Sequence, residues 1–298
     1  DVCVEAMAAM SLDVLNGDVS QEIRARLTRC RLVAIPKPCG GIRPIAVGDA
    51  FLKLCGKLLM RRLEPAIQTL FADVQFGCMA RAGAETIVHL TRRDLAMGHS
   101  ILTVDMRNAY NSISRAAISV ALHSEPSLEG LWRIFALEYG EPSELLLCPA
   151  GGTGADPTPT ILSSCGTRQG SSLGGLFFCI GIHPVLQRLR AAFPGVCIRA
   201  FVDDVTLTGA NPNQVEGAFH QLVDECARIG LSANHAKCEW MGPTVCPHEL
   251  VRQGVRCPAG LRVLGAYLGP DDVCSALLLG GLSATVAAVS RLGMLPLS

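Results

Sequence analysis

The sequence predicts an α+β fold, on three observations. Apolar runs of strand length lie beside one another with turn residues between them, a hairpin pattern rather than strict strand–helix alternation. Stretches with apolar residues at helical spacing separate these hairpins. No internal repeat or long low-complexity segment occurs along the 298 residues, which sets solenoids and propellers aside.

Taken in order, Arg31–Ile35 and Ile42–Val47 are short runs rich in Val and Ile, and the KPCGG between them supplies Pro38 and Gly40-Gly41 for a turn. Asp49 is placed to cap a helix running to about Leu63, with Leu52, Leu54, Leu58, Leu59 and Leu63 available for its buried face. Glu85–Met97 is a second amphipathic helix. Ile101–Asp105 reads as a strand, followed by a turn and a helix near Ser114–His123. Leu145–Cys148 and Thr160–Cys165 flank the Gly-, Pro- and Thr-dense tract Gly151–Thr160 and can pair as a hairpin with a long connection. Gly170–Ala191 suggests a long helix in spite of its glycines and Pro184. Val196–Val202 and Val205–Thr208 are strand-like, and Pro212–Ile229 returns to helix.

Composition narrows the function. Apolar residues make up 49% and charged residues 17%, which excludes an intrinsically disordered chain. The 26 Lys and Arg balance 26 Asp and Glu, so any binding to nucleic acid must come from a local basic face rather than net charge. The 14 cysteines form no C-x-x-C pair, and Cys55, Cys179 and Cys197 sit inside apolar runs where a thiol acts as a small hydrophobe. Reduced thiols in an intracellular protein are expected. Leu176–Leu186 is too short to cross a membrane and carries His183 and Pro184, so no membrane association is expected. A chain opening on Asp1 and stopping at Ser298 after an apolar stretch reads as a piece of a longer polypeptide.

The strongest local feature is AFVDDVTL (Ala200–Leu207), two adjacent carboxylates between apolar strand-like runs. On its own it has two readings. One is a solvated turn, the commoner case; the other is a hairpin tip that offers carboxylate oxygens to a hard cation. Ile101–Asp105 ends another apolar run with an aspartate. Were the two strands neighbours, Asp105 would join Asp203 and Asp204, and three carboxylates could hold two Mg²⁺ for phosphoryl transfer. Spacing alone does not show that they are.

An ordered set of motifs goes further. PKPCGGIRPIAV (Pro36–Val47), TVDMRNAYNSI (Thr103–Ile113), GTRQGSSLGGLFF (Gly166–Phe178), AFVDDVTL, GLSANHAKCEWM (Gly230–Met241) and VLGAYLG (Val263–Gly269) follow one another along most of the chain. In this order they resemble the reverse transcriptase domain of non-LTR retrotransposons. The strings AYNSIS and GGIRPIAVG are similar to site-specific elements of trypanosomatid type.

The resemblance implies a right-hand polymerase fold whose palm is an antiparallel sheet backed by helices. N-terminal helices and fingers would occupy 1–99, the palm 100–272 with a fingers insertion at about 118–160, and the start of a thumb 273–298. It implies RNA-directed DNA synthesis with two Mg²⁺ ions, Mn²⁺ being the alternative, on an RNA template with a DNA primer and deoxynucleoside triphosphates. Further domains of the same polyprotein and a nuclear location would go with it. Asp105, Asp203 and Asp204, with the backbone carbonyl of Met106, would be the metal ligands. Lys37 and Arg43 would clamp the triphosphate, though isolated basic residues beside prolines more often face solvent. Gln169 and Gly170 would meet the nucleotide, Gly170 by allowing close backbone approach. Tyr110 would stand where a ring excludes a ribose 2′-hydroxyl, or be an ordinary core aromatic. Lys237 would protonate the leaving pyrophosphate, or be a solvated lysine.

Three departures from the family pattern bear on activity. Ser171-Ser172 stands where a Pro commonly follows the Gln-Gly, Gly175 replaces a second Pro, and Val202 stands where Ala or another small or apolar residue is usual. An altered helix start could misplace Gln169. The alternatives are a catalytically decayed domain that binds nucleic acid or acts as a scaffold, an intron-maturase-like or telomerase-like reverse transcriptase, and an unrelated α+β protein with a surface Asp-Asp turn.

Overall fold

A computed structural model describes residues 2–37, 40–147 and 159–292. Two helices open the chain, α1 (Val2–Asn16) and α2 (Gln21–Thr28), before the strands β1 (Cys30–Pro36) and β2 (Ile42–Val47). Of the turn between them, Pro38 and Cys39 lie outside the described residues, as do Cys148 and most of the Gly151–Thr160 tract. Next come α3 (Ala50–Phe71), α4 (Gly83–Ala96), β3 (Ser100–Val104), α5 (Ala109–Ser112), α6 (Arg115–His123), α7 (Trp132–Tyr139), β4 (Ser143–Leu147) and β5 (Thr160–Ser163). The C-terminal half carries α8 (Gly174–Ala192), β6 (Val196–Phe201), β7 (Asp204–Gly209), α9 (Pro212–Arg228), β8 (Glu239–Met241), α10 (His248–Arg252), β9 (Leu261–Val263), β10 (Ala266–Leu268) and α11 (Asp271–Leu292).

Asp49 caps α3 as expected, its Oδ1 accepting from the Phe51 and Leu52 amides at 2.8 and 3.0 Å. The helix does not stop near Leu63. It continues through Pro65 to Phe71, because Ile67 and Phe71 on its last turns are fully buried. The carbonyl that Pro65 leaves without a donor belongs to Arg61, on the exposed side, where water can serve it. Helix α8 starts four residues later than expected, since Gly170 has φ +112° and cannot begin a helix. Gly181 in its middle lets α6 approach closely: a Cβ there would lie 2.7 Å from the Ile118 side chain.

The central sheet has the order β6-β7-β3-β8, all antiparallel. Side chains alternate between its faces. Leu102, Val104, Ile198, Val205 and Leu207 enter the main core with residues of α8 and α9. Ile101 and Phe201 join a second core with Ile87 of α4 and Leu261, Val263 and Leu268 of the β9–β10 hairpin. On that face Asp94 of α4 is pinned to Arg199 and to the Thr208 hydroxyl, each at 2.7 Å. Burial opposes the ionisation of Asp94, but Thr208 and the Arg199 charge outweigh it and hold its carboxyl below the usual range.

A second sheet has the order β2-β1-β4-β5. The hairpin read around Leu145 and Thr160 forms, with Leu145 opposite Ile161. Through a parallel pairing of Cys30 with Leu145, it joins the sheet of the N-terminal strands. Among the described residues no helix is long and apolar enough to cross a membrane.

Candidate active site

The site is built where β3 and β7 end together. Val104 pairs with Val205, so the next residue of one strand and the preceding residue of the other, Asp105 and Asp204, share the sheet's end. The two aspartates far apart in sequence are thus neighbours. Phe201 and Asp204 close the β6–β7 hairpin, leaving Val202 and Asp203 as its two-residue loop. Val202 takes φ +57°, a left-handed conformation that is strained for a β-branched residue. Beyond β3 the chain is held by the segment before β8: Asn234 N–H donates to the Asp105 carbonyl and Arg107 N–H to the Ser232 carbonyl, both at 2.8 Å.

A cleft of about 700 Å³ opens over this end. Asp105, Met106, Asp203 and Asp204 line it together with Lys237, Gln169, and Lys37 and Arg43 from the first hairpin. Eight of the ten residues singled out from sequence therefore face one space. Arg107, Asn108, Asn111 and Asn234 line it too and were not singled out. Asn108 carries a hint of its own, since its φ of +45° is one that Asn tolerates better than most residues.

Tyr110 and Gly170 stand just behind the cleft wall. The Tyr110 ring stacks on Phe178, with centroids 5.3 Å apart and planes at 16°. Burial, then the neighbouring Cys179 and Asp203, push its hydroxyl above the ordinary tyrosine range. The close approach that Gly170 permits is to protein. A Cβ there would lie 2.5 Å from the Ala46 carbonyl, and the Ala46 amide donates to Gln169 O at 2.7 Å. Gly170 thus joins the loop before α8 to β2.

The serines that replace the common Pro do not leave Gln169 loose. Ser171 donates to Glu138 at 3.0 Å and accepts from the Leu173 amide at 3.3 Å, while Arg168 bonds the same Glu138 at 2.8 Å. Glu138, Arg168 and Ser143 form a buried polar cluster that sequence spacing does not reveal, because each comes from a different element.

Electrostatically the floor of the cleft is acidic and uncompensated. No ion pair involves Asp105, Asp203 or Asp204 among the described residues. Desolvation raises the pKa of Asp203, and Asp105 adds to this while Arg43 opposes it. Asp204 stays open to solvent, yet the crowding walls and the charges of Asp203 and Asp105 push its pKa up to about 6. A second cleft, of about 550 Å³, shares Asp105, Asp204 and Lys237 and continues to Arg256, Arg262 and Leu264.

Three carboxylates at the end of an antiparallel sheet backed by helices, faced by cations across a cleft, define a right-hand polymerase. The chain belongs to the reverse transcriptase (RNA-dependent DNA polymerase) family, which it matches over residues 35–248. It is 33% identical over 233 residues to the retrotransposable element SLACS 132 kDa protein of Trypanosoma brucei gambiense, covering 78% of this chain and 19% of that protein. The chain thus spans about a fifth of the length of this curated relative. Among solved structures it is similar to apo telomerase from Candida tropicalis, with TM-score 0.58 and 14% identity over 76% of this chain and 46% of that one. It is also similar to telomerase from Candida albicans in complex with a TWJ fragment of telomeric RNA, with TM-score 0.52 and 16% identity over 85% and 47%. At such identities the likeness is one of fold.

Enzymes of this family use divalent metal ions. The residues fit one: three carboxylates line one cleft, desolvation followed by their mutual repulsion raises the pKa values of Asp203 and Asp204, and among the described residues no lysine or arginine forms an ion pair with them. Among the described residues no three acidic, His or Cys side chains already stand as a closed metal cage. Like charges draw together when a cation joins them.

Proposed function

We propose that this chain is the RNA-directed DNA polymerase domain of a retrotransposon protein, extending a DNA primer 3′ end on an RNA template. The observation that carries the reading is the meeting of Asp105, Asp203 and Asp204 at one sheet end, opposite Lys37 and Arg43 in one cleft. Asp105, Asp203 and Asp204, with the Met106 carbonyl, would hold two Mg²⁺, with Mn²⁺ as a substitute. Bound there, the ions would activate the primer hydroxyl and neutralise charge on the leaving pyrophosphate.

The chain's own groups then divide the work. Lys37 and Arg43 bind the triphosphate from the hairpin side, Arg43 with a fork matched to phosphate oxygens. Gln169, fixed through Arg168, Ser171 and Ala46, positions the deoxynucleoside triphosphate. Tyr110, braced on Phe178 beside Asp203, sets how much room the sugar has. Lys237 lies between the two clefts and supplies a proton to the departing pyrophosphate. The second cleft, with Arg256 and Arg262 for phosphates and Leu264 and Phe201 for the apolar sugar face, suits the primer end.

Residues 1–99 and the insertion at about 118–160 act as fingers, supported by their shared sheet. Residues 100–272 act as palm, and 273–298 begin a thumb. Further domains of the same polyprotein and a nuclear location, where DNA primer ends occur, complete the reading. Primer extension on primed RNA with Mg²⁺ and deoxynucleotides tests it. Extension by the wild type and not by Asp203→Ala/Asp204→Ala is expected. Extension by both, or by neither when both are folded, overturns it in favour of a site elsewhere or a decayed scaffold.

A further inference from the structure

Gln75 lies a few residues past α3, almost completely buried, and belongs to no lining of the main cleft. Its backbone runs beside β6: Phe76 N–H donates to the Ala200 carbonyl and Ala200 N–H to the Val74 carbonyl, each at 2.7 Å. Its side chain reaches the tip of the β6–β7 hairpin. The carboxamide oxygen accepts from Val202 N–H at 2.7 Å and from Gly77 N–H at 3.0 Å, and the carboxamide nitrogen donates to the Val202 carbonyl at 3.1 Å. Both backbone polar groups of Val202 are therefore held by one planar amide, as a neighbouring strand would hold them.

The contact falls on the strained residue. Val202 has φ +57°, and the two residues after it are Asp203 and Asp204. Gly77 presses on the same spot: a Cβ there would lie 2.5 Å from Val202 N and 2.6 Å from its Cγ2. A residue kept in an unfavourable conformation needs surroundings that over-determine it. Here the surroundings include the Gln75 carboxamide and Gly77, with the Val202 side chain resting against the main core.

We infer that Gln75 is a positioning residue for the double-aspartate turn, holding Val202 in its left-handed conformation so that Asp203 and Asp204 present their oxygens together. This deepens the reading that those carboxylates bind metal, and rests on it. Gln75 touches neither substrate nor metal; it acts through the Val202 peptide groups. Freed of Gln75, the turn relaxes toward ordinary φ values and the two carboxylates lose their fixed relation. Partners that orient ligand residues typically change metal affinity by about 10–100-fold when removed.

The test follows two readouts that do not need activity. Hydrogen exchange by mass spectrometry over residues 200–206 reports the Val202 amide, and electron paramagnetic resonance of free Mn²⁺ reports binding. In Gln75→Ala, faster exchange confined to that peptide and Mn²⁺ binding weakened by about tenfold are expected, with the melting temperature of the rest retained. Adding Val202→Gly should restore Mn²⁺ binding, since glycine takes φ +57° without strain. A general loss of packing would not be repaired by that change. Gln75→Glu, which keeps the acceptor for the Val202 and Gly77 amides and loses the donor, should fall between and serves if the alanine variant does not fold. Unchanged exchange at 200–206, unchanged Mn²⁺ binding, or a loss that Val202→Gly leaves in place overturns the inference. If the wild type itself binds no Mn²⁺, the metal reading of Asp203 and Asp204 fails, while the exchange result still decides whether Gln75 holds the turn.

Discussion

Arg168 Nη2 meets Glu138 Oε2 at 2.8 Å with both side chains nearly inaccessible to water, joining the loop that carries Gln169 to helix α7. Arg168 also donates to the Ser143 hydroxyl at 2.7 Å and to the Thr28 carbonyl at 3.3 Å, and lies 4.7 Å over the Tyr139 ring. Strand β4 and helices α2 and α7 therefore meet on one guanidinium.

Breaking this pair from one side leaves a buried charge alone, which costs about 3–5 kcal/mol, whereas replacing both partners by apolar residues is far milder. Glu138→Leu and Arg168→Met should each lower the urea midpoint strongly, and the double variant should recover much of the loss. Additive losses in the double variant would show that the two residues act separately. The single variants should also lower the rate of primer extension, because Gln169 sits one residue from the broken contact.

The acidic cleft floor makes stability and metal binding move oppositely with pH. Crowding and the neighbouring carboxylates raise Asp204 to about 6, above the value of an unfolded aspartate. Between roughly pH 4 and 6 the folded state thus holds more protons than the unfolded one, and metal-free stability falls as pH rises through that window. Metal binding needs the ionised form, so Mn²⁺ affinity should rise through the same window. Asp204→Asn should raise the metal-free melting temperature at pH 7 and abolish the Mn²⁺ tightening between about pH 4 and 6. A melting temperature for Asp204→Asn equal to wild type at both pH 4 and pH 7 would contradict the assigned repulsion.

Much of this site was legible in the sequence because its parts are local. AFVDDVTL is itself a hairpin, and the apolar run ending in Asp105 is itself a strand. Their adjacency came through the resemblance and not through spacing, since the β3–β7 pairing joins residues about a hundred positions apart. The supporting contacts were illegible for the same physical reason. Gln75 with Val202 and Arg168 with Glu138 are side-chain pairings across the fold, with no periodicity to announce them. The helix read as ending near Leu63 runs on through Pro65, because tertiary burial of Ile67 and Phe71 outweighs a lost hydrogen bond.

Gly170 offers a sharp contrast with Gly98. Both have positive φ, +112° and +77°, but a Cβ at Gly98 would meet nothing within 4 Å while one at Gly170 would lie 2.5 Å from the Ala46 carbonyl. Gly98→Ala should cost about 1 kcal/mol, the strain of the conformation alone. Gly170→Ala must in addition displace backbone, so it should destabilise by several times as much and remove the Ala46–Gln169 hydrogen bond. Chemical denaturation of the two variants side by side checks this. Equal losses would mean that the junction between β2 and the loop before α8 is slack.

His183 gives the last prediction. It is 3% exposed within α8, its ring centroid 5.3 Å from that of Phe71 in an edge-on arrangement, and neither ring nitrogen has a hydrogen-bond partner among the described residues. Burial alone lowers its pKa to about 4. An unfolded histidine takes up its proton near pH 6.5, so on acidification the unfolded state binds the proton first. The stability present above pH 6.5 is lost progressively down to about pH 4, on the order of 2 kcal/mol by pH 5. His183→Leu removes both the unpaired nitrogens and this proton. Its melting temperature should exceed that of the wild type, and the gap should widen from pH 7 to pH 5. Parallel melting curves across that range would mean that His183 finds a proton or a partner in the folded core.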